Sequence, residues 1–390
     1  MKTVMLVLLL AAFASGANCA DNQAFLGIFA ETSVQKMVGM PEMPDMSKMK
    51  LPPGMDMSKM PGMAAMMAGA PKRTLNVRLW SPGIAPESAS AYITPSDGLK
   101  VGKRMDLALY RPKAEEGTSA TGDAGAPGEV QMKDFIIKIY WGSSATVKPG
   151  QPKIIKFEGL SAEQRATMRA EAAKAKQGSS YFYKPDWTTG YWPTEKQPGV
   201  IVKGASLVGN YALTTTYTGN VAIDCPSNVD FLAPIDFTLP DIHQQIPMDK
   251  AIAFEWNQIL NALGLHASIF GMEGKTTLIM WSSSEVYSDM SMGNWDYLQM
   301  AEVRGYVKST VMMKGDATSV TVPEAIFKDC DMAMMKMIGY GPGAALGTGQ
   351  PLPRIQTKTV LNMPLGGKMM QNMGGPAVRG RKQPPDTGDE

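Results

Sequence analysis

The amino-acid sequence predicts a mainly β protein made of two antiparallel β-sandwich domains, with short inserted helices and disordered segments at both ends. The first observation is length, because about 370 residues follow an N-terminal leader and such a length is typical of two domains. The second is a series of short segments rich in Val, Ile, Thr and aromatic residues, which Gly and Pro separate. Strands of this kind at this spacing are typical of β-sandwiches. The third is a change near residue 73, where a segment rich in Met, Pro and Gly gives way to these strands.

Residues 1–19, MKTVMLVLLLAAFASGANC, have the layout of a secretory signal peptide: a basic residue, an apolar run and then small residues. We therefore expect an exported protein of the periplasm, the extracellular space or the cell surface. Cleavage after Gly16, Ala17 or Cys19 stays open. Lipid attachment at Cys19 is a further alternative, although the three residues before it lack the apolar residue expected of a bacterial lipoprotein signal.

Residues 20–72 are predicted to form a disordered arm. Most of this segment is rich in Met, Pro, Gly and Lys and poor in aromatic and β-branched residues. Such a composition buries too little apolar area to order itself as a domain. Residues 364–390 continue the methionine-rich and glycine-rich theme and are predicted to form a disordered tail.

The arm carries a methionine at every third position five times in succession, from Met37 to Met49, and we call this series the methionine ladder. A period of three matches polyproline II, which the prolines in this stretch favour, and it would align the sulfurs along one edge. Thioethers are soft ligands suited to Cu(I), and the same softness suits Ag(I). No other cofactor is expected. The candidate metal ligands are Met37, Met40, Met43, Met46, Met49, Met55, Met57, Met60 and Met63. Two alternatives stay open, a linker without a ligand and a surface that docks onto a partner or membrane.

Residues 73–240 are predicted to form the first β-rich domain. Its strands are expected at Thr74–Trp80, Met105–Pro112, Asp134–Trp141, Val200–Gly204, Tyr211–Thr218 and Phe231–Thr238. A helix is predicted over residues 161–177, because Ser161 and Gln164 form a capping-box pattern and Gly178 follows.

Residues 241–363 are predicted to form the second domain, again from short strands. These are expected at Ala251–Trp256, Leu265–Gly271, Thr277–Ser283, Ser319–Pro323, Met332–Gly341 and Ile355–Met363. One helix is expected near Tyr297–Lys308, between the third and fourth of these strands.

The segment AIAFEWNQILNALGLHASIFG, residues 251–271, resembles the early strands of a fibronectin type III or immunoglobulin-like domain. This resemblance covers about residues 245–363 and implies the immunoglobulin-like class for the predicted sandwiches, most directly for the second. The words IYWGSSATVKPGQPKIIKF, SLVGNY, DFLAPIDFT and MWSSSEV, in this order, resemble an uncharacterised family of exported proteobacterial proteins over most of residues 74–363. This second resemblance implies export and a shared fold, but no activity.

The charges and the sequence patterns argue against several function classes. The chain has 38 basic and 36 acidic residues, and the basic ones are scattered, so nucleic acid is not an expected partner. No run after the leader reaches the roughly 18 apolar residues of a membrane helix. His243 and His266 lack neighbours at zinc spacing, and His266 reads as an ordinary sheet residue. No nucleophile elbow or nucleotide-binding glycine pattern occurs. We therefore expect a protein that is not an enzyme, with a carbohydrate-active or other hydrolase as a distant alternative.

Two further features suggest specific contacts. The stretch YFYKPDWTTGYWP, residues 181–193, is dense in aromatic rings, which on an exposed loop would stack on sugars or anchor a partner. Its candidate binding residues are Trp187, Tyr191 and Trp192, and packing between the two domains is the alternative. Cys225 and Cys330 are the cysteines beyond the leader, and an even pair in an oxidising compartment predicts a disulfide. Two buried free thiols are the alternative.

Together these observations predict an exported, non-catalytic binding or structural protein of the envelope or extracellular space. Its partner would be a protein or another component of the cell envelope. The rival prediction is a periplasmic Cu(I)- or Ag(I)-binding protein that uses the methionine-rich arm.

Overall fold

The computed structural model describes residues 23–39, 70–111, 135–156, 186–288, 298–345 and 351–367. Within these ranges the chain is mainly β, which confirms the predicted class, and it contains a single α-helix, α1 (Met300–Lys308), and a 3-10 turn at Asp97–Leu99. The strands, in chain order, are β1 (Phe25–Gln35), β2 (Lys72–Ser81), β3 (Ala91–Thr94), β4 (Met105–Asp106), β5 (Ala108–Tyr110), β6 (Ile136–Trp141), β7 (Lys153–Lys156), β8 (Thr188–Trp192), β9 (Gly199–Ile201), β10 (Gly209–Thr215), β11 (Val221–Cys225), β12 (Phe237–Leu239), β13 (Ile252–Trp256), β14 (Gly264–Glu273), β15 (Thr277–Ser282), β16 (Met313–Lys314), β17 (Ser319–Val322), β18 (Met332–Tyr340), β19 (Ala344–Ala345) and β20 (Leu352–Gly366).

Alternation of apolar and polar residues explains why these segments are strands. In β13 the side chains of Ile252, Phe254 and Trp256 are buried, whereas Ala253 and Glu255 between them are exposed. Successive side chains of a strand point to opposite faces, so such a pattern lets one face of a sheet cover a core while the other remains polar. Helix α1 begins where the predicted helix was expected, and the backbone N–H of Gln299 donates to the Glu302 carboxylate at 2.7 Å as in a capping box.

A thirteen-stranded sheet extends through the described part of the chain in the order β5-β8-β2-β1-β20-β18-β14-β15-β6-β7, with β9, β16 and β19 attached to β2, β14 and β20. Most neighbouring strands are antiparallel, as predicted. Two pairs are parallel, β15 with β6 and β1 with β20, and the second pair joins the beginning of the described chain to its end from Phe25–Leu352 to Gln35–Asn362. One continuous sheet therefore links regions that the sequence assigns to different segments.

Two smaller sheets face this large sheet, and each encloses its own apolar core. The four-stranded sheet β11-β10-β3-β4 covers the first core, which includes Leu75, Val77 and Leu213. The three-stranded sheet β12-β13-β17 covers the second core, which includes Phe254 and Met335. The face of the large sheet that lies against the two cores is its inner face, and the opposite face is its outer face.

Strands β1 and β20 are long enough to contribute to both cores. In β1, Leu26 and Ile28 belong to the first core and Val34 to the second. In β20, Ile355 belongs to the first core and Leu361 to the second. These two strands therefore join the cores through a common backbone ladder.

A seam of three buried threonines, Thr32, Thr357 and Thr359, lies on the inner face of β1 and β20 between the two cores. The Thr32 hydroxyl donates to the carbonyl of Leu232 at 2.8 Å, and the Thr357 hydroxyl donates to the carbonyl of Pro342 at 2.8 Å. We call these residues the threonine seam. Its hydrogen bonds attach two crossing segments to the inner face.

The location of β1 corrects one prediction. Residues 25–35 lie inside the segment 20–72 that the sequence predicts to be disordered, yet they form a central strand of the large sheet. The physical reason is that apolar residues alternate in β1 and that β2 and β20 satisfy its backbone on both edges. The predicted helix over residues 161–177 and nearly all of the predicted tail lie outside the described residues.

Candidate binding cleft

Three buried clusters lie on the outer face of the large sheet among the described residues. Two of them flank β1, β2 and β20, and the third lies on β6 and β15 around Ile137, Ile139 and Met280. Helix α1 and the residues around it cover one part, where Leu298 and Val303 pack with Ile338, Tyr340 and Val360. The approach is close because β14 begins with Gly264, where a Cβ would lie 2.7 Å from a Val307 methyl group.

A second cluster covers the outer face at the opposite end of β1, where Phe25, Trp80, Trp187 and Leu352 pack together. Between the two covers a cleft of about 220 Å³ opens onto the outer face of β1, β2 and β20. We call it the outer cleft. The cleft lies here because the sheet is continuous beneath it, whereas the two covering groups leave a gap between them.

Three strands form the floor of the outer cleft, and the rest of the chain forms its walls. The floor residues, two from each strand in the order β1, β2 and β20, are Phe29, Glu31, Asn76, Arg78, Gln356 and Lys358. One wall is apolar and comes from Leu298, Met300 and Val303 at the start of α1. The opposite wall comes from Lys196 and Pro198 in the loop between β8 and β9.

Strand alternation and register place these side chains together. Leu75, Val77 and Leu79 are buried in the first core, so Asn76 and Arg78 between them lie on the outer face. In the register of the three paired strands, Phe29 lies opposite both Asn76 of β2 and Gln356 of β20. The next outward row contains Glu31, with Thr74 and Lys358 as its two neighbours. The floor is therefore built on regular strands, which hold side chains more rigidly than loops do.

The charges of the cleft are mostly positive. The Lys358 ammonium lies 3.1 Å from the Glu31 carboxylate, and the two side chains are 18% and 30% exposed. Arg78 places its guanidinium 5.0 Å from the centre of the Tyr191 ring and donates from Nη2 to the Glu195 carbonyl at 3.4 Å. With exposed Lys196, the lining contains three cationic side chains and one anionic side chain. An excess of two positive charges in a concave site favours an anionic ligand.

Two polar atoms of the floor are buried without a hydrogen-bond partner among the described residues, Asn76 Oδ1 and Arg78 Nε. Buried polar atoms are nearly always paired, because leaving one unpaired costs about 1–3 kcal/mol. One of these atoms accepts a hydrogen bond and the other donates one from a cation. The cleft therefore presents an unused acceptor and an unused charged donor on one strand, two residues apart.

The titratable side chains of the lining are Glu31, Arg78, Lys196, Tyr340 and Lys358. Among the described lining residues there is no His, Cys or Ser, and the single carboxylate, Glu31, is paired with Lys358. These are common groups in acid–base and nucleophilic catalysis, although Lys, Tyr and Thr side chains also serve. The arrangement can hold an oxyanion, a hydrogen-bond donor and an apolar group at the same time.

The methionine ladder is described only at its first member. Met37 lies just beyond β1 and is 45% exposed, and the other eight predicted metal ligands lie outside the described residues. Within the ranges given above, no three His, Cys, Asp or Glu side chains come together as a metal-binding group.

The aromatic residues predicted as an exposed binding site are mostly buried, which corrects that prediction. Trp187 is 4% exposed, in the cluster with Trp80, and Tyr191 is 6% exposed, beneath the Arg78 guanidinium. Trp192 is half-buried and packs against the first core. The reason is that residues 188–192 form β8, an inner strand of the sheet with neighbours on both sides, rather than a loop.

The predicted disulfide between Cys225 and Cys330 is wrong in this structure, where both are buried free thiols. Cys225 ends β11 in the first core and its thiol donates to the Val229 carbonyl at 3.4 Å, whereas Cys330 lies in the second core. Burial raises the pKa of Cys225 to about 11 and that of Cys330 to about 12, with nearby carboxylates adding to both shifts. The two thiols lie in different cores, so an even number of cysteines did not imply a disulfide.

His266 is a buried residue of β14, 2% exposed and opposite Ile338 of β18. Desolvation, with a smaller contribution from Lys336, lowers its pKa to about 3, so the imidazole is neutral at physiological pH. It lies on the outer face under the cover provided by the α1 region and does not line the cleft.

Sequence reasoning did not single out the floor of the cleft. Asn76 and Arg78 appear in TLNVRLW, and Gln356 and Lys358 in IQTKTVLNM, as the polar positions of alternating strands. A solvated sheet face gives the same pattern, so the only available signal was the unusual mixture of amide and cationic groups at such positions.

No helix among the described residues is long and apolar enough to cross a membrane. Comparison of the chain with protein-family models and with curated proteins finds no match.

Proposed function

We propose that the chain is an exported, non-catalytic binding protein of the cell envelope or extracellular space, and that the outer cleft holds its ligand. Export rests on the signal-peptide layout of residues 1–19. The observation that carries the binding role is a pair of buried atoms on the floor, Asn76 Oδ1 and Arg78 Nε, that have no hydrogen-bond partner within the described ranges. A ligand that hydrogen-bonds to both would offset the cost of their burial.

The composition and the size of the cleft support a small ligand. It combines an apolar wall with a few convergent polar groups, as small-molecule sites usually do. Its volume of about 220 Å³ is below the ~300–1,000 Å³ of typical sites for drug-sized molecules. A compact molecule or the end of a longer chain fits such a space, whereas a dinucleotide or a similar large cofactor does not.

A metal-binding role for the arm remains the second candidate, and the spacing of its methionines carries it. The exposed Met37 places the first sulfur of the ladder at the surface beside β1. A peptide covering residues 37–67 has no histidine or cysteine, so it should bind Ag(I) through thioethers and ignore Zn(II). Replacement of Met40, Met43 and Met46 by Leu should abolish the silver binding, since Leu keeps the apolar volume and removes sulfur.

We also propose that the two cores correspond to two sandwich units of the immunoglobulin-like class. The two small sheets packed against one large sheet support this proposal. The parallel pairing of β1 with β20 and of β15 with β6 departs from an all-antiparallel sandwich. Each unit would then share its β1 and β20 backbone with the other.

The test of the binding role is a thermal-shift screen of small metabolite-like compounds with variants that block the cleft. Gln356→Trp places an indole on the floor of the cleft, whereas Asn362→Trp places the same side chain on the outer face of the same strand, outside the lining. Ligands of the cleft should raise the Tm of the wild type and of Asn362→Trp but not that of Gln356→Trp. They should also be recovered unchanged by NMR after prolonged incubation. Compounds that stabilise all three proteins equally would place binding elsewhere.

A further inference from the structure

We infer that the ligand of the outer cleft is a carboxylate that resembles an apolar amino acid. Such a ligand has an oxyanion, an N–H donor on the carbon next to the carboxylate, and an apolar side chain. The inference rests on the proposed binding function and names the chemistry that the cleft recognises. Three features of the lining carry it, one for each part of such a ligand.

The first feature is Arg78, which suits the oxyanion. Its guanidinium is held over the Tyr191 ring, and Nη2 donates to the Glu195 carbonyl, so its plane is oriented before a ligand arrives. Its Nε remains buried without a partner among the described residues. A guanidinium presents parallel N–H donors that match a carboxylate, and orientation in advance lowers the entropy cost of binding. Lys196 adds a second, exposed cation on the facing wall.

The second feature is Asn76, which suits the N–H group. Its Oδ1 is an acceptor without a partner in the part of the chain that the structure describes, and it lies on the same face of β2 as Arg78. Residues two apart in a strand are about 7 Å apart, so one small molecule can contact both side chains. An α-amide or α-amino group next to a carboxylate supplies an N–H donor for Asn76 while the carboxylate faces Arg78, whereas a simple fatty acid has no such donor.

The third feature is the apolar wall from α1, which suits the side chain. Leu298, Met300 and Val303 face the floor across the cleft, and Val303 is 1% exposed within its own cluster. Met300 is fixed by a contact of its sulfur with the Gly343 N–H at 3.0 Å. Methionine and leucine side chains adapt to aliphatic groups of different shape, so we expect selection for an apolar side chain rather than for one particular shape.

Glu31 sets the balance of charge in this site. It neutralises Lys358 on the floor at 3.1 Å, and its negative charge faces the same space as the incoming oxyanion. Glu31→Gln should therefore strengthen binding of an acid several-fold and leave binding of a neutral analogue unchanged, because it removes a like charge and releases Lys358.

The test compares matched probes by isothermal titration on the full chain. N-acetyl-L-leucine carries all three features. N-acetyl-L-leucinamide removes the charge, 4-methylpentanoate removes the N–H donor, and N-acetylglycine removes the apolar side chain. We expect N-acetyl-L-leucine to bind about tenfold more tightly than each of these. The loss of a charged hydrogen bond, of a neutral hydrogen bond or of a buried leucine side chain each has an effect of roughly this order. The peptide Ala-Ala-Leu and its C-terminal amide distinguish a peptide end from a free acylated amino acid as the source of this chemistry.

Substitutions of Arg78 and Asn76 test which side chain is responsible for each binding preference. Arg78→Gln should abolish the preference for the acid over the amide, and Asn76→Val should abolish the preference for N-acetyl-L-leucine over 4-methylpentanoate. Arg104→Gln is the matched control, because Arg104 also lies over a tyrosine ring, that of Tyr92, but does not line the cleft. Thermal unfolding of each variant reports whether the fold is retained.

The outcomes separate the two proposals. Equal binding of acid and amide, both blocked by Gln356→Trp, would overturn the inference and leave the binding function in place. Binding of the acid that Arg78→Gln does not weaken, or that Arg104→Gln weakens equally, would also overturn the inference. Absence of binding by every probe would overturn it as well, and the binding function would then depend on the wider screen with Gln356→Trp.

Discussion

The inner and outer faces of β1 and β20 share one backbone but have opposite characters. On the inner face, the threonine seam separates two dry cores, and the hydroxyls of Thr32 and Thr357 are hydrogen-bonded to carbonyls of crossing segments. On the outer face, the same strands present Glu31 and Lys358 to a cleft, next to two polar atoms of β2 that have no partner among the described residues. The inner polar groups are mostly used by the fold, and the outer ones remain available to a ligand.

This difference teaches where function can reside in a sheet of this kind. Polar groups in a core contribute to stability only if they are satisfied, so they attach one segment to another. Polar groups that border a cleft can stay unsatisfied in the free protein and gain partners when a ligand binds, which offsets the cost of their burial. Substitutions on the inner face should therefore change the free energy of unfolding, and substitutions on the outer face should change binding.

The largest effect is expected at Gly343, which lines the outer cleft and lies against the backbone of β20. A Cβ at this position would lie 2.3 Å from the Ile355 carbonyl oxygen of β20, which is a backbone atom that cannot rotate away. Gly343→Ala should lower the free energy of unfolding by about 3 kcal/mol, as in other overpacked sites, measured by urea unfolding. Gly305→Ala is the control, because the same methyl group in α1 meets nothing within 4 Å and should stabilise by about 1 kcal/mol. Equal effects of the two changes would contradict the close packing of β19 on β20.

A large pH-dependent effect is expected from His266, on the covered part of the outer face. Its folded pKa, about 3, lies below its usual value of 6.5, so the unfolded chain binds a proton that the folded chain does not. Stability should fall as the pH decreases from about 6.5 towards 3, by at most about 1.4 kcal/mol per pH unit from this group. Urea unfolding at several pH values should show a shallower slope for His266→Gln than for the wild type. An unchanged slope would mean that water reaches His266 beneath the residues that cover it.

A moderate effect separates two members of the threonine seam. Thr32→Val removes the donor to the Leu232 carbonyl and should cost about 1–2 kcal/mol, since a buried acceptor loses its partner. Thr359 is fully buried and its hydroxyl has no partner among the described residues. Thr359→Val should therefore leave stability unchanged or raise it by up to about 1 kcal/mol. Chemical denaturation of both variants tests the difference, and a larger loss for Thr359→Val would contradict the assignment of these hydrogen bonds.

The smallest effect is expected when the ion pair on the floor of the cleft is removed. Glu31→Gln breaks the contact with Lys358, and partly exposed pairs contribute only up to about 1 kcal/mol. Asp106→Asn removes the more exposed pair with Arg104 and should have no measurable effect. Glu31→Gln should thus change acid binding more than stability. A loss above 2 kcal/mol would show that this pair belongs to the fold rather than to the binding site.

Local patterns in the sequence predict much of the fold. The strands β2, β13, β14, β15 and β18 fall where alternation and β-branched residues place them, and α1 lies within the segment where a helix was expected. These elements are specified by residues close together in the chain, so their own composition is sufficient. The continuity of the large sheet is different, because it depends on the pairing of β1 with β20, more than 300 residues away. No local signal reports such a partner.

The candidate site was predicted less well, for related reasons. β1 was assigned to the arm because its neighbours in sequence, the leader and the methionine ladder, are atypical of a folded domain. The aromatic residues near Trp187 were noticeable, but they fill β8 and a cluster instead of a loop. Arg78 and Asn76 were not noticeable, because polar residues on alternate positions are ordinary. What distinguishes them is that one buried atom of each, Asn76 Oδ1 and Arg78 Nε, has no hydrogen-bond partner among the described residues, which no sequence pattern encodes.

The most direct test of the outer cleft uses the methionines as probes of the two faces. Met300 lines the cleft, whereas Met335, Met337 and Met363 are fully buried in the second core. In protein labelled with ¹³C at the methionine methyl groups and assigned by single Met→Leu substitutions, N-acetyl-L-leucine and any ligand from the thermal-shift screen can be titrated. We predict that the Met300 resonance shifts with saturation while the three core resonances stay in place. Saturable binding that moves the core methionines and leaves Met300 unchanged would contradict the account.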